Sequence, residues 1–96
     1  MHDEFDPETP EVEERSDGWI RLRGRILITE VNERYSLGLN YPDVDTMAGL
    51  VQTELGRPAQ VDDEVEIHGA KLRVEQVERL RITSLLLQLP VSDKDD

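Results

Sequence analysis

The chain has 96 residues, a formal net charge of −11 and no cysteine. This length accommodates one domain with a modest core, and the lack of cysteine excludes disulfides and thiolate metal sites. The acidic balance argues against nucleic acids and anionic membrane surfaces as partners, and no apolar run approaches the ~20 residues that span a bilayer.

The acidic residues are concentrated at the two ends of the chain. Residues 1–17 carry eight acids against one arginine, and residues 93–96 carry three acids against one lysine, which leaves a charge of only −2 on residues 18–92. The first segment is also poor in large apolar side chains, which disfavours ordering. We therefore expect an acidic, disordered arm at 1–17, an ordered domain at 18–90 and an acidic tail at 91–96.

Order is expected to begin with a strand near Gly18. Ile20 and Leu22 alternate with arginines, which is the period of a half-buried strand. Gly24 interrupts this alternation as a bend or bulge would, and the extended run is predicted to continue to Ile28.

Two helices are predicted next. Thr29 is a candidate N-cap for a short first helix, which Gly38 would end by adopting the left-handed conformation. Asp45 or Thr46 would cap a second helix, whose apolar residues recur at helical spacing. Gly56 lies where a left-handed residue would end that helix.

The remaining sequence changes to the period of strands. Residues 64–68 alternate, Gly69-Ala70 suits a tight hairpin turn, and the renewed alternation slips in phase near Glu75-Gln76, which predicts a β-bulge. Residues 81–89 contain an apolar run typical of a central strand buried on both faces. The order strand, helix, helix, three strands indicates an α+β domain, with one antiparallel or mixed sheet and two helices on one face.

The acidic cluster Asp62-Asp63-Glu64 has two interpretations. Carboxylate oxygens suit hard cations such as Mg²⁺, so these three residues are candidate metal ligands. The alternative is a solvated turn before a strand, and the spacing matches no EF-hand loop. We favour the turn and predict no metal site.

Arginines provide the other candidate surface. Arg21, Arg23 and Arg25 would share one strand face if no bulge intervened, and such a stripe could bind a phosphate or an acidic partner. The alternative is cross-strand pairing with glutamates of the later strands, and for Arg81 a structural ion pair is the default expectation. No nucleophile, base and orienting group can be assembled, so we predict no catalytic residues and no enzyme activity.

Seven segments, in this order and spacing, resemble the transporter-associated domain at the C-terminus of CorC/HlyC-type proteins. The acidic run HDEFD (2–6) is similar to the linker that precedes such domains. The seven segments are WIRLRG (19–24), EVNE (30–33), DTMAGLV (45–51), LGRP (55–58), DDEV (62–65), LRV (72–74) and RLRI (79–82).

The resemblance implies a non-catalytic α+β domain, related in fold to a subdomain of FAD-binding oxidoreductases, that follows a pair of CBS modules. It implies a regulatory or interaction role in proteins that are linked to magnesium and cobalt transport or named as hemolysins, on the cytoplasmic side. The expected partners are the CBS modules of a longer chain or a second copy, without nucleic acid or membrane insertion. The alternative is a small-ligand module that binds FAD, another nucleotide or a divalent cation. The interaction candidates are Arg21, Arg23, Arg25 and Arg81.

Overall fold

The computed structural model describes residues 11–90. Within this range the five strands form one antiparallel sheet in the order β1-β2-β5-β4-β3. The α+β fold is thereby confirmed, and the sheet is antiparallel rather than mixed. In chain order the elements are β1 (Val12–Glu14), β2 (Ile20–Arg23), α1 (Ile28–Tyr35), α2 (Met47–Leu55), β3 (Glu64–Ile67), β4 (Ala70–Glu78) and β5 (Arg81–Gln88).

Both helices cover the same face of this sheet. Val31 of α1 and Leu50 of α2 are fully buried, and they belong to one core cluster with Leu22, Leu72 and Leu85 of the strands. The 3.6-residue period of the helices and the two-residue period of the strands therefore point their apolar side chains into one shared layer. None of the helices between residues 11 and 90 is long and apolar enough to span a bilayer.

The apolar run of β5 is explained by its central position. Leu85 and Leu87 are fully buried in the core beneath the helices. Leu86 points to the other face, where it lies beside Arg21 of β2 and Arg73 of β4 in register and is still only 8% exposed. The prediction of a central strand buried on both faces is confirmed.

Two compensating bulges interrupt the β4–β5 hairpin. Val74 pairs with Leu85, but the next pairs are Gln76 with Ser84 and then Val77 with Ile82. Glu75 is therefore the extra residue on β4, as the phase slip predicted, and Thr83 is the extra residue on β5, which was not predicted. Two opposite bulges restore the register, so that Val77 and Ile82 again face the core side.

The turn after β2 lies tightly against β5. The Gly24 N–H donates to the Thr83 carbonyl over 3.0 Å. A Cβ atom at Gly24 would lie 2.1 Å from the Ile82 carbonyl oxygen, so this position requires glycine. The extended run predicted to reach Ile28 ends instead at Arg23, because the chain turns here toward α1.

The predicted ends of α1 are wrong. The helix begins at Ile28, after Leu27, and no side chain caps it; the Ile28 N–H donates to the Asp45 carbonyl instead. Its left-handed C-cap is Ser36, with φ 56°, rather than Gly38. The Asn32 side chain hydrogen-bonds to the N–H and the carbonyl of Leu39, each over 2.8 Å. The chain therefore leaves the helix at Ser36, before it reaches Gly38.

The predicted caps of α2 are correct. The Thr46 hydroxyl accepts from the Gly49 N–H over 3.1 Å, and Gly56 ends the helix with φ 69°. The β3–β4 turn is shifted by one residue from its expected position. His68 and Gly69 are its two central residues, both at positive φ, which is the pattern of a type I′ turn.

The first strand, β1, corrects the expectation of a disordered arm at 1–17. Val12–Glu14 pairs with β2, and Val12 packs against the core from the sheet edge. A single apolar residue among acids gives too little periodic signal to predict a strand. Residues 1–10 and the tail at 91–96 lie outside the described residues.

Candidate functional site on the helix-free face of the sheet

The side of the sheet opposite the helices, called here the helix-free face, carries a network of hydrogen-bonded polar groups. Its central residues are Arg21 on β2, Ser84 and Leu86 on β5, and Arg73 and Glu75 on β4. They lie here because they alternate with the core residues of each strand, and the bulge leaves Glu75 without a paired residue on β5.

Glu75 is the hub of this face. The Arg21 guanidinium donates to both of its carboxylate oxygens over 2.9 Å, and the Ser84 hydroxyl donates to Oε1 over 2.5 Å. Arg21 also donates to Glu13 of β1 over 3.2 Å. Four strands are therefore connected across the sheet by one hydrogen-bonded network.

The electrostatics of this network favour the charged forms. Hydrogen bonds from Arg21 hold the pKa of the Glu75 carboxyl below its ordinary value, although burial opposes them, and Ser84 adds to the lowering. The same carboxylate raises the pKa of Arg21. Ser84 is only 4% exposed, so its hydroxyl needs this partner.

A second group of contacts flanks the network. The Arg73 guanidinium stacks over the Trp19 ring, 4.9 Å from its centroid, and forms an ion pair with Glu64 over 3.0 Å. Trp19 is thus half-buried on the helix-free face and does not belong to the core cluster. Leu86 lies between Arg21 and Arg73 in register and is only 8% exposed.

The four interaction candidates do not form one stripe. Arg21 and Arg23 share the helix-free face, but Arg25 lies in the turn after Gly24 and binds the Glu11 carboxylate over 3.0 Å. Arg81 is exposed at the end of the β4–β5 hairpin and makes no ion pair with another residue of 11–90, so its expected structural ion pair stays a prediction. Their role as interaction residues stays a prediction.

Two of the three residues in the acidic cluster at 62–64 form ion pairs with arginines. Asp63 receives two hydrogen bonds of 2.9 Å from Arg57 and one of 2.8 Å from the Gln60 N–H, which lower its pKa. Glu64 pairs with Arg73, and Asp62 adopts φ 78° in the turn. Nowhere in residues 11–90 do three His, Asp or Glu side chains come together as metal ligands would.

The sequence offered cross-strand pairing with a glutamate of a later strand as one interpretation of Arg21, but it did not indicate Ser84. The phase slip between Val74 and Val77 was the available signal, since a bulge re-aims a side chain. The second bulge, which brings Ser84 beside Glu75, leaves no comparable mark because the run from Ile82 to Leu87 is largely apolar on both faces.

The fold and the helix-free face define a small α+β domain with two helices on one side of an antiparallel sheet. The model of the CorC/HlyC transporter associated domain matches residues 13–91. The chain belongs to this family.

Known relatives agree with this assignment. The chain is 37% identical over 100 residues to a UPF0053 protein of Mycobacterium tuberculosis, covering 98% of this chain but only 23% of that protein. It therefore spans about a quarter of that relative's length.

Solved structures share the fold. A hemolysin domain from Enterococcus faecalis is 31% identical with a TM-score of 0.80, covering 85% of this chain and 100% of that one. A transporter associated domain of a Xylella fastidiosa hemolysin, in complex with Mg²⁺ and Mn²⁺, is 25% identical with a TM-score of 0.73, covering 82% and 96%. A transporter associated domain from a CBS domain protein of Porphyromonas gingivalis is 20% identical with a TM-score of 0.75, covering 86% and 100%, and shows the fold alone.

Proposed function

We propose that this chain is a non-catalytic docking and regulatory domain of a longer protein that contains CBS modules and is associated with divalent-cation transport. The observation that carries the proposal is the helix-free face, an ordered polar surface that the domain's own helices leave uncovered. Family membership and the small share of the mycobacterial relative that the chain covers support a role as one module among several. The cytoplasmic side is part of the same proposal.

The chemistry of the helix-free face argues against catalysis. A carboxylate whose pKa is lowered, as for Glu75, is a poor proton acceptor near neutral pH. The Ser84 hydroxyl donates its proton to that carboxylate but is almost fully buried, so a substrate cannot reach it. These groups satisfy one another and do not converge on an open space.

The same features suit contact with another module. Interfaces between domains of one chain are more polar than permanent interfaces, which allows them to open and close. On the helix-free face, acids and arginines alternate across the strands in the order Glu13, Arg21, Glu75, Arg73 and Glu64. Such an alternating surface selects a partner by charge complementarity while it keeps the affinity modest.

The single tryptophan gives a direct test. We would oxidise surface side chains with hydroxyl radicals in the isolated chain and in the longer protein that contains it, and compare oxidation of Trp19. We expect strong protection of Trp19 in the longer protein because its partner module covers the helix-free face. Tyr41, half-buried in the loop before α2, is the internal control and should be oxidised equally in both.

A variant pair sharpens this test. Arg23→Glu reverses a charge on the helix-free face and should remove the protection of Trp19, whereas Arg34→Glu on α1 reverses a charge elsewhere and should leave it. Equal oxidation of Trp19 in the isolated chain and the longer protein would show that this face is not a docking surface.

Binding of a divalent cation is the second candidate function, because the related Xylella domain was solved with Mg²⁺ and Mn²⁺. In this chain the cation would have to displace Arg57 from Asp63, which makes binding at residues 62–64 weak. Titrating the chain with Mg²⁺, Mn²⁺ and FAD while following its melting temperature tests both ligand classes, the cation and the nucleotide, by mass action. A rise with Mn²⁺ that Asp63→Asn abolishes would favour this candidate; no rise at millimolar metal would remove it.

A further inference from the structure

The turn that joins β4 to β5, called here the hairpin tip, consists of Arg79, Leu80 and Arg81. Leu80 is 71% exposed, more than the other exposed large hydrophobic residues between 11 and 90. It also has φ 67°, and within that range no other residue with a large apolar side chain adopts positive φ. Exposure to water and backbone conformation both disfavour leucine here. Strained residues of this kind concentrate at binding and switch regions, so the tip is a candidate binding element.

The tip projects beyond the neighbouring strands of the sheet. Within residues 11–90, β2 pairs with β5 as far as Ser84, and the last backbone bond on that side joins the Gly24 N–H to the Thr83 carbonyl. On the other side, the backbone bonds between β4 and the chain around β3 end at Val74. Leu80 therefore lies about 10 Å past the last bond to β2 and about 15 Å past the last bond to β3. A ribbon that projects in this way can enter a recess on another protein module.

The base of this projecting ribbon is fixed in the core. Ile82 is 4% exposed, and Val77, its partner across the hairpin, packs against the core cluster. Beyond them Glu78 and Arg81 still pair in register. The tip is thus presented in one arrangement, which reduces the conformational entropy that would be lost on binding.

The charges beside Leu80 define the chemistry of its partner. Arg79 and Arg81 are exposed, and neither forms an ion pair with another residue of 11–90. Together with Glu78 they place two guanidinium groups against one carboxylate, on a chain of charge −11. A partner that buries the leucine must also supply hydrogen-bond acceptors to the guanidinium groups, and carboxylates match their geometry.

A protein recess fits these charges better than a lipid surface. An anionic bilayer is extended, so it would also face the acidic groups of the chain around the tip. A recess in a protein places its carboxylates only beside the two arginines. The described residues therefore favour a protein partner.

We propose that the hairpin tip inserts into an apolar recess bordered by carboxylates on another module of the longer protein. Leu80 fills the recess, and Arg79 and Arg81 pair with the carboxylates. Burial of the leucine offsets the free energy that its exposure and backbone conformation cost in the isolated chain. The inference rests on the proposed role as one module of a longer protein, and it assigns a second contact to residues outside the central network of the helix-free face.

Hydroxyl-radical oxidation of the isolated chain and the longer protein tests the tip with side chains already present. We expect Leu80 to be oxidised roughly fivefold more slowly in the longer protein, because the central anchor of an interface loses nearly all of its exposure. Leu27 and Val61, 48% and 55% exposed, are matched aliphatic controls and should be oxidised equally in both. Unchanged oxidation of Leu80, or equal protection of all three residues, would overturn the proposal.

Trp19 separates this result from the test of the helix-free face. Protection of Trp19 without protection of Leu80 would overturn the tip contact and leave docking through the helix-free face intact. Protection of neither residue would remove both. Protection of Leu80 alone would support the tip contact and remove the helix-free face as a docking surface.

Charge variants and vesicles test the chemistry of the partner. In the longer protein, Arg79→Gln/Arg81→Gln should lose most of the protection of Leu80, whereas Arg34→Gln/Lys71→Gln, which removes two positive charges outside the tip, should keep it. Persistent protection in the first variant would overturn the requirement for carboxylates. Phosphatidylglycerol vesicles added to the isolated chain should leave Leu80 unprotected; protection there would assign the tip to a lipid surface and overturn the proposal.

Discussion

At the scale of single residues, Glu75 shows how a charged group at a bulge can be fully hydrogen-bonded within a sheet. The bulge brings its carboxylate over the nearly buried Ser84, where an unpaired hydroxyl would be costly. Arg21 then supplies two parallel hydrogen bonds, the strongest geometry available to a carboxylate. The Glu75 carboxylate thus accepts the hydrogen bonds of both Arg21 and Ser84, and Arg21 balances its charge.

Replacing Glu75 by Gln should destabilise the domain by about 1 kcal/mol, because the amide keeps a partner for Ser84 but loses the charge that Arg21 requires. Chemical denaturation at pH 7 would measure the change. Glu64→Gln is the matched control, since its pair with Arg73 is more exposed and should contribute less. Equal losses in the two variants would show that the bulge adds nothing to the ion pair.

The same pair should make stability depend on pH in a predictable direction. Because the folded-state pKa of Glu75 is lowered, its contribution is complete above the ordinary value of 4.5 and is lost as pH falls through the lowered value. The stability curves of the unchanged chain and of Glu75→Gln should therefore lie apart at neutral pH and converge in acid. Parallel curves would contradict the assigned pKa shift.

At the scale of elements, the two tight hairpin turns differ in their fit to the backbone. Both place two residues at positive φ, but β3–β4 uses His68 and Gly69, whereas β4–β5 uses Arg79 and Leu80. The second turn is retained although its residues disfavour the conformation, because the paired bulges and the long strand register fix where the chain must reverse.

Leu80→Gly should stabilise the domain by about 1 kcal/mol, because glycine adopts positive φ without strain. Leu80→Ala is the control, since alanine removes the exposed side chain but keeps the strain. Thermal unfolding should rank glycine above alanine; the reverse order would show that the turn is relaxed.

At the scale of the whole molecule, the sequence predicted elements whose signals are local. Thr46 and Gly56 mark the ends of α2 with their own side-chain and backbone preferences, and the slip before Val77 marks a bulge. Features that depend on distant partners were not predicted. Ser36 ends α1 because Asn32 hydrogen-bonds to Leu39, and Val12 belongs to a strand because it pairs with β2. The polar network on the helix-free face required the strand order, which periodicity cannot supply.

The outer strands of the sheet also bear on self-association. Glu13 and Glu14 lie on β1, and Glu64 and Glu66 lie on β3. Both edge strands of the sheet formed by residues 11–90 are therefore acidic. Pairing an edge with that of a second copy would place like charges opposite each other, on a chain of charge −11. Docking on other modules is therefore favoured over pairing of identical edges.

We accordingly expect the isolated chain to sediment as a monomer at neutral pH and low salt, although β1 and β3 are edge strands within residues 11–90. The double variant Glu64→Thr/Glu66→Thr should self-associate at a lower concentration than the unchanged chain. It removes the charges that oppose pairing of the β3 edge and adds residues that favour strands. The control variant Glu30→Thr/Glu33→Thr removes an equal number of negative charges from α1 and should remain monomeric. If both variants associate equally, net charge rather than the strand edge keeps the copies apart; a dimer of the unchanged chain would refute the expectation altogether.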